Sequence, residues 1–371
     1  MNKTITRTIC IKLDAAMHDA VLTATMQAFN AAASWVARVC WDEGLTNTNT
    51  AHHRVYGETR ARFGLSAQLA VNARAKAVEA VKSVKAKQCE TCPQFGARGS
   101  VRLDNHHSYS FKPVDHVSLL TLQGRIVCRM LLGARQHAML TDPEWEHGTA
   151  DLVWRNHVYY LHVTQSREAP DVTQTPDVIG VDLGIVNVAV DSDGQVFTGE
   201  HVRQVRKHYK AQREGLQKVG TKSAKRKAKR ISGREARFQA DVNHCISKAL
   251  VAKAVSTRKA LALEDLTGIR DRVTARRAQR YERHSWAFSQ LRRFITYKAA
   301  KAGVRVTLVD PRNTSRTCPE CGHCDKANRR SQSEFLCQQC GYTANADGVA
   351  ARNIQTVAVN LPMVADASCI Q

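Results

Sequence analysis

Two Cys-x-x-Cys pairs near the carboxyl end of the chain constrain its fold more than any other feature. Cys318 and Cys321 form the first pair, Cys337 and Cys340 form the second, and fifteen residues separate the two pairs. This spacing is typical of a Cys₄ zinc ribbon, in which two knuckles hold one tetrahedral metal ion. Four thiolates leave no coordination position for water, so we expect a structural zinc ion here.

Asp347 lies seven residues after the last of these cysteines and begins the segment DGVAARNI, whose apolar spacing predicts a packed helix. Taken alone, an aspartate at a helix start is most simply explained as an N-cap. The other interpretation is that the ribbon positions a functional carboxylate. The rest of the chain is needed to decide between them.

The net charge is the strongest compositional signal. The 371 residues include 55 Lys and Arg against 33 Asp and Glu, which gives a net charge of +22, and 43% of the residues are hydrophobic. This apolar content suffices for two or three globular domains, and the charge favours a polyanionic partner, most simply nucleic acid. The sequence contains no run of eighteen apolar residues, and its start, MNKTITRTICIKL, lacks a hydrophobic signal core. A cytoplasmic protein is therefore predicted.

The remaining cysteines divide into single residues and one further pair. Cys10, Cys40, Cys128 and Cys245 occur singly in apolar surroundings, so we predict reduced core thiols. Cys89 and Cys92 have the spacing of half a metal site, but no second pair lies nearby in sequence. Loop thiols are the favoured interpretation of that pair.

The first half of the chain predicts a β-rich domain with a helical insertion. Residues 4–13 alternate like a strand, residues 14–41 and 66–87 have helical spacing around a polar loop, and residues 101–168 return to short β-runs. We therefore predict an antiparallel β-barrel from residues 1–13 and 98–170, interrupted by a helical domain at 14–97. The segment EAPDVTQTP, residues 168–176, is the best domain boundary.

Two acidic residues of the second half lie in otherwise apolar strands. Asp182 occurs in DVIGVDLGIVNVAV, and Glu264 ends the apolar run of KALALEDLTGI. A buried carboxylate costs on the order of several kcal/mol unless it is paired or binds a cation. A metal is the simplest explanation for Asp182, although backbone amides near the strand end would also satisfy it.

A dense basic segment lies between these two strands. Residues 203–237 contain fourteen Lys and Arg against two Glu and predict a basic helical hairpin that extends to residue 257. Such runs are often only solvated faces, but self-repulsion at this density favours neutralisation by phosphates. The predicted contacts to a nucleic-acid backbone are Lys225, Arg226, Lys227, Lys229 and Arg230. A second basic stretch runs from Arg270 to Arg283.

Asp182, Glu264 and Asp347 together suggest a catalytic metal site. Carboxylates that converge from strand, strand and helix are what an RNase H-like fold uses to hold Mg²⁺, a cation that prefers oxygen ligands and retains waters. The sequence contains no Walker A loop, no Gly-x-Ser-x-Gly elbow and no HExxH helix that would offer a competing catalytic set.

These segments resemble a known family. GVDLGIVNVAV, LALEDLTGI and the ribbon followed by NADGVAARNI are similar to the three RuvC motifs of TnpB, the transposon-encoded protein ancestral to type V CRISPR effectors. The order of the remaining motifs, including SAQLAVNARAKAVEA, SYSFK and VDPRNTSRTCPECGH, matches as well, so the resemblance covers nearly the whole chain. Val349 is a departure, because the family usually has Asn two residues after the last Asp.

The resemblance implies a fold, a reaction and partners. The fold class is α+β and multidomain, with a RuvC-like nuclease domain at 177–371 that contains the basic hairpin at 203–257 and the zinc ribbon at 314–343. The implied activity is Mg²⁺-dependent cleavage of double-stranded DNA, guided by a noncoding RNA from the protein's own locus. Asp182, Glu264 and Asp347 correspond to the magnesium ligands, the four ribbon cysteines to the zinc ligands, and Gln68, Asn72 and Lys112 to readers of a short motif beside the target.

Two rival functions remain open from the sequence. A guide-free transposase or resolvase could use the same fold and metal, and RNA dependence would separate it from a guided nuclease. An RNA-guided binder without cleavage is the other rival, although such a protein is expected to have lost one of the three carboxylates. The sequence identifies neither the guide, nor the flanking motif, nor the oligomeric state.

Overall fold

The computed structural model describes residues 4–113, 115–266 and 288–361, and it divides the chain into two units, Met1–Glu168 and Ala169–Gln371. The basic stretch Arg270–Arg283 lies outside the described residues. None of the described helices is both long and apolar enough to cross a lipid bilayer.

The first unit is built on a seven-stranded antiparallel sheet. In chain order its strands are β1 (Thr4–Asp14), β2 (Val101–Leu103), β3 (Tyr109–Lys112), β4 (His116–Thr121), β5 (Gly124–Leu131), β6 (Glu146–Arg155) and β7 (Val158–Glu168). Their order across the sheet is β2-β6-β7-β1-β5-β4-β3, so the first strand of the chain lies at the centre.

The alternation of β1 determines which of its side chains enter the core. Ile9, Ile11 and Leu13 are buried, while Cys10 and Lys12 point outward and are exposed. The prediction that Cys10 is a core thiol is therefore wrong, because its register places it opposite the apolar face. Cys245 is likewise exposed, whereas Cys40 and Cys128 are buried as predicted.

Three long helices follow β1, and a short one precedes β6. They are α1 (Asp19–Asp42), α2 (Thr48–Phe63), α3 (Ala67–Ala86) and α4 (Ala134–Leu140). The sequence predicted a polar loop where α2 lies. Asn47 caps α2 by accepting hydrogen bonds from two backbone N–H groups, and Ala51, Val55 and Thr59 are its buried residues. These three residues, four positions apart, suffice to pack α2 against its neighbours, because α1 and α3 supply the larger apolar side chains.

The second unit is built on a five-stranded mixed sheet. Its strands are β8 (Val178–Asp182), β9 (Asn187–Asp191), β10 (Val196–Thr198), β11 (Ala260–Glu264) and β12 (Val306–Val309), and their order is β10-β9-β8-β11-β12. β8 and β9 form an antiparallel hairpin, while β8, β11 and β12 are parallel. A small ribbon sheet adds β13 (Glu334–Leu336) and β14 (Thr343–Asn345).

The helices of this unit are α5 (Glu200–Val219), α6 (Lys222–Thr257), α7 (Phe288–Lys301) and α8 (Ala346–Asn360). α5 and the first half of α6 form a helical hairpin in which Glu235 of α6 pairs with both Arg206 and Arg213 of α5. The second half of α6 packs with α7 on one face of the sheet, where Ile246, Leu250, Leu291 and Ile295 are buried.

α8 crosses β8 so closely that a side chain is excluded at the crossing. A Cβ atom on Gly180 would lie 2.1 Å from the carbonyl oxygen of Ala351. Gln355 of α8 donates a hydrogen bond of 2.8 Å to the carbonyl of Val178. Glycine at position 180 therefore allows α8, and with it Asp347, to lie against the sheet.

Candidate functional site

Asp182 and Glu264 lie side by side where two parallel strands end. The register pairs Val181 of β8 with Leu263 of β11, and each carboxylate is the next residue of its strand. Carboxyl ends of parallel strands are where ligands bind in open α/β sheets. The strands therefore deliver both carboxylates to the same edge of the sheet.

Asp347 reaches this edge from the first turn of α8. The residue that caps the helix is Asn345, whose Oδ1 accepts hydrogen bonds from the N–H groups of Asp347 and Gly348. The carboxylate of Asp347 is thus not used as the N-cap, and it is free for another role.

The three carboxylates influence one another electrostatically. Burial, together with the negative charges of Glu264 and Asp347, raises the pKa of Asp182 to about 8, against the opposing effects of Arg329 and the Leu183 N–H. Burial also raises the pKa of Glu264, while Thr314 and Arg329 counteract part of that rise. The raised pKa values of Asp182 and Glu264 fit a site for a hard divalent cation, because the cation would supply the missing positive charge.

Three polar residues that the sequence did not single out contact these carboxylates. The Thr314 hydroxyl donates to Oε1 of Glu264 at 2.6 Å, and Nδ2 of Asn187 donates to Oδ2 of Asp347 at 2.9 Å. Nη2 of Arg329 lies 3.7 Å from Oδ1 of Asp347. Only their position in the sequence could have indicated a role: Thr314 and Arg329 lie near ribbon cysteines, and Asn187 begins the strand after Asp182.

The four ribbon cysteines form the tightest potential metal site in the described part of the chain. The sulfur atoms of Cys318, Cys321, Cys337 and Cys340 all lie within 4.8 Å of one another. Among the described residues, no other group of three or more His, Cys, Asp or Glu side chains brings its ligand atoms this close together. The carboxylate oxygens are therefore more widely spaced than the thiols. This group of cysteines could bind a metal such as zinc.

Each pair of cysteines belongs to a knuckle of the same design. The Gly322 N–H donates to the Cys318 carbonyl, and the Gly341 N–H donates to the Cys337 carbonyl. Both glycines have a positive φ. Burial raises the pKa of the Cys337 thiol, but the N–H groups of Cys340 and Gln339 and the neighbouring thiols outweigh it and lower the pKa to about 6. The same thiol–thiol contacts raise the pKa values of Cys321 and Cys340. A metal ion would require the thiolate form of all four ligands.

Val349 packs into the small core of the ribbon with Phe335, Cys318 and Cys337. The departure from the family pattern at this position thus replaces a polar side chain with an apolar one in a buried site. Cys89 is exposed and Cys92 half-buried, and neither belongs to a converging metal-ligand group among the described residues.

The basic residues of α6 divide into two sets. A groove along one face of the helix is lined by Ser223, Arg226, Lys229, Arg230, Gly233, Arg234 and Arg237. Lys225 and Lys227 are exposed but do not line it. The described ion pairs of the hairpin involve basic residues of α5, namely Arg206, Lys210 and Arg213, and not the basic residues that line the groove.

The three predicted motif readers lie in the first unit. Asn72 is buried, and its Nδ2 donates to the carbonyl of Arg102 at 3.2 Å. Gln68 donates to Asp104 at 2.5 Å, and Lys112 is exposed at the end of β3. Their role in reading DNA stays a prediction.

Comparisons with known proteins agree in pointing to one group of proteins. Two family models match, the "Probable transposase" model over residues 159–267 and the "Cas12f1-like, TNB domain" model over residues 288–354. A CRISPR-associated endodeoxyribonuclease Cas12f1 of Sulfoacidibacillus thermotolerans is 33% identical over 219 residues, which is 54% of this chain and 50% of that protein. A TnpB-like protein of Methanocaldococcus jannaschii is 32% identical over 190 residues, covering 48% of this chain and 67% of that protein.

The fold matches a solved Cas12f1 chain. In a Cas12f1 complex with sgRNA and target DNA, that chain superposes with a TM-score of 0.69 at 13% identity, covering 95% of this chain and 99% of that one. At this identity the likeness shows the fold alone, which is α+β. The sequence match, by contrast, spans only about half the length of the Cas12f1 relative.

Proposed function

The chain belongs to the TnpB family, and from that premise we propose that it is an RNA-guided endonuclease that cleaves guide-complementary double-stranded DNA. The observation that carries the proposal is the convergence of Asp182, Glu264 and Asp347 at one edge of the sheet of the second unit. The guide RNA comes from the protein's own locus, and the DNA carries a short motif beside the target.

Asp182, Glu264 and Asp347 would hold Mg²⁺ through their oxygen atoms. Bound there, the cation supplies an activated water and stabilises charge on the phosphate during hydrolysis. The chain's own groups surround the site: the Thr314 hydroxyl donates to Glu264, the Asn187 amide donates to Asp347, and Arg329 places a positive charge beside them. The Arg329 side chain is 31% exposed, so its guanidinium can also donate to an oxygen of a bound phosphate.

The basic face of α6 would hold the nucleic-acid backbone. Its groove presents five Lys and Arg side chains over about three helical turns, roughly 16 Å at about 1.5 Å per residue. Arg side chains bind phosphate oxygens in pairs, which suits a backbone that is recognised without regard to sequence. The net charge of +22 has the sign that this requires.

The ribbon would bind zinc as a structural ion and so support the carboxylates. Thr314 lies just before its first cysteine, and Arg329 lies between its two knuckles. In the first unit, we propose that the sheet closes into a barrel. Edge strand β3 contacts β6, the strand next to the other edge, because Tyr109 donates to the Gly148 carbonyl at 2.7 Å and the rings of Phe111 and His147 lie 4.9 Å apart.

RNA dependence tests the proposal against a guide-free transposase. The protein is purified from cells that carry its locus, and the copurified RNA is sequenced and then used to design a matched DNA duplex. We expect cleavage of the matched duplex in Mg²⁺, no cleavage of a scrambled duplex, and loss of cleavage after the RNA is digested. Cleavage that persists without RNA would favour the guide-free enzyme, and guided binding without any cleavage would favour a guided binder.

A further inference from the structure

Asn187 is the first residue of β9 and lies half-buried beside the carboxylate of Asp347. Its side-chain amide donates one hydrogen bond of 2.9 Å to Oδ2 of Asp347, across 160 residues of sequence. The other oxygen of this carboxylate, Oδ1, faces the Arg329 guanidinium at 3.7 Å. Each oxygen of Asp347 therefore has its own polar partner, a hydrogen-bond donor for Oδ2 and an ion-pair partner for Oδ1, and the two partners come from different segments of the second unit.

The loop that presents Asn187 is held in a close turn. A Cβ atom on Gly184 would lie 2.7 Å from the Asn187 carbonyl oxygen, and one on Gly199 would lie 2.6 Å from the carbonyl oxygen of Val186. The Gly199 N–H also donates to that Val186 carbonyl at 2.8 Å. Gly184 thus allows the chain to reverse within the few residues that separate Asp182 from Asn187, and Gly199 allows the start of α5 to approach that turn closely.

The two partners of Asp347 differ in what they do to its charge. Arg329 brings a full positive charge, which partly neutralises the carboxylate and competes with a cation for it. The amide of Asn187 is neutral, so it fixes the direction of the carboxylate group and leaves its negative charge available. Groups that orient metal ligands in this way typically affect metal affinity about 10- to 100-fold.

We propose that Asn187 is a positioning residue for the divalent-metal site. It holds Asp347 in the orientation that places its carboxylate toward Asp182 and Glu264, and it acts only through Asp347. This inference rests on the proposed function for the identity of the site, but it concerns metal binding and is tested without DNA cleavage.

The test measures Mn²⁺ binding to the RNA-bound protein by electron paramagnetic resonance, with zinc retained and no DNA present. Asn187→Ala should weaken the Asp182-dependent Mn²⁺ site about 10- to 100-fold. Ser192→Ala serves as the matched control, because it removes one hydrogen bond of the same β8–β9 hairpin, the one donated by the Gly180 N–H to Ser192 Oγ at 3.2 Å. That control should leave Mn²⁺ affinity unchanged, and thermal melting of both variants reports their folding.

A second measurement separates orientation from general damage. If wild type cleaves guided DNA, Asn187→Ala should raise the Mg²⁺ concentration for half-maximal cleavage by at least about tenfold, and excess Mg²⁺ should restore most of the rate. Equal Mn²⁺ affinities for wild type and Asn187→Ala would overturn the inference and leave the proposed function intact. Asp182-dependent Mn²⁺ binding without any DNA cleavage would overturn the proposed function and leave the inference standing.

Discussion

At the residue scale, Asp182 shows how an unfavourable burial points to a ligand. Its pKa of about 8 in the folded chain lies well above the ordinary value of 3.8, because burial and two nearby carboxylates disfavour its charge. The folded state therefore holds this proton more tightly than the unfolded state does. The resulting stabilisation is complete below about pH 4 and is lost as the pH rises toward 8.

Asp182→Asn should accordingly stabilise the protein in Mg²⁺-free buffer at pH 8 by a few degrees in melting temperature, and much less at pH 5. Adding Mg²⁺ should raise the melting temperature of wild type and hardly change that of Asp182→Asn. Circular dichroism melts on zinc-loaded protein measure both effects, with Asp177→Asn, an exposed aspartate just before β8, as the control. Equal Mg²⁺ responses for wild type and Asp182→Asn would show that Asp182 binds no cation.

The residues that sequence reasoning found and missed differ in one physical respect. Asp182 and Glu264 are visible in the sequence because an acid in an apolar strand is anomalous. Asn187 and Thr314 are ordinary polar residues at a strand start and in a loop, and their partners lie 160 and 50 residues away. Position 349 could not be interpreted either, because the ribbon core that buries Val349 exists only in three dimensions.

At the element scale, the ribbon connects its four-cysteine group to the carboxylates. The cysteine spacing suffices to predict the two knuckles, since Cys-x-x-Cys turns are local. The contacts of Thr314 and Arg329 with Glu264 and Asp347 are not local, and they make the ribbon part of the site.

Cys337→Ser should release zinc and disorder the segment 318–343. For such a site, metal binding contributes about 10 kcal/mol or more to local folding. DNA cleavage should then fall sharply, because Thr314 and Arg329 are no longer held beside the carboxylates, while RNA binding persists.

Cys324→Ser is the matched control for the ribbon. Cys324 lies in the same segment but is exposed and outside the four-cysteine group, so this variant should keep its zinc and its activity. Elemental analysis of both proteins decides the assignment. A full zinc content in Cys337→Ser would contradict it.

The α5–α6 hairpin offers a second element-scale prediction. Arg226→Ala combined with Arg230→Ala removes two groove-lining charges, and Lys225→Ala combined with Lys227→Ala removes two charges outside the groove. We expect the arginine pair to lower RNA affinity and reduce the log–log salt slope by roughly 0.7 to 0.9 for each phosphate that is no longer neutralised. The lysine pair should have a smaller effect on both quantities.

Salt titrations of RNA binding by the two variants provide the measurement. Equal slopes for the two variants would mean that only total charge matters and that the groove has no special role. The helices themselves could be predicted from composition, but the subset of their basic residues that lines the groove could not, because it is defined only in three dimensions.

At the scale of the whole molecule, charge, fold and site all support the proposed activity. The sequence predicted the TnpB family, and the comparisons confirm it. The order of the motifs was sufficient to predict the family, because each RuvC-like motif is a short local pattern and the motifs are widely separated along the chain. The helix α2 and the outward register of Cys10 were missed, since each depends on which face of an element its neighbours cover.

The central claim is that one carboxylate site cleaves DNA that the guide RNA and the protein have already selected. Asp182→Ala should therefore abolish cleavage of a matched duplex while it still binds and opens that duplex, because pairing with the guide does not use the metal. The measurement is parallel cleavage and permanganate footprinting of wild type and Asp182→Ala with the copurified RNA in Mg²⁺. The account predicts an opened but uncut target for Asp182→Ala, and undiminished cutting by that variant would contradict it.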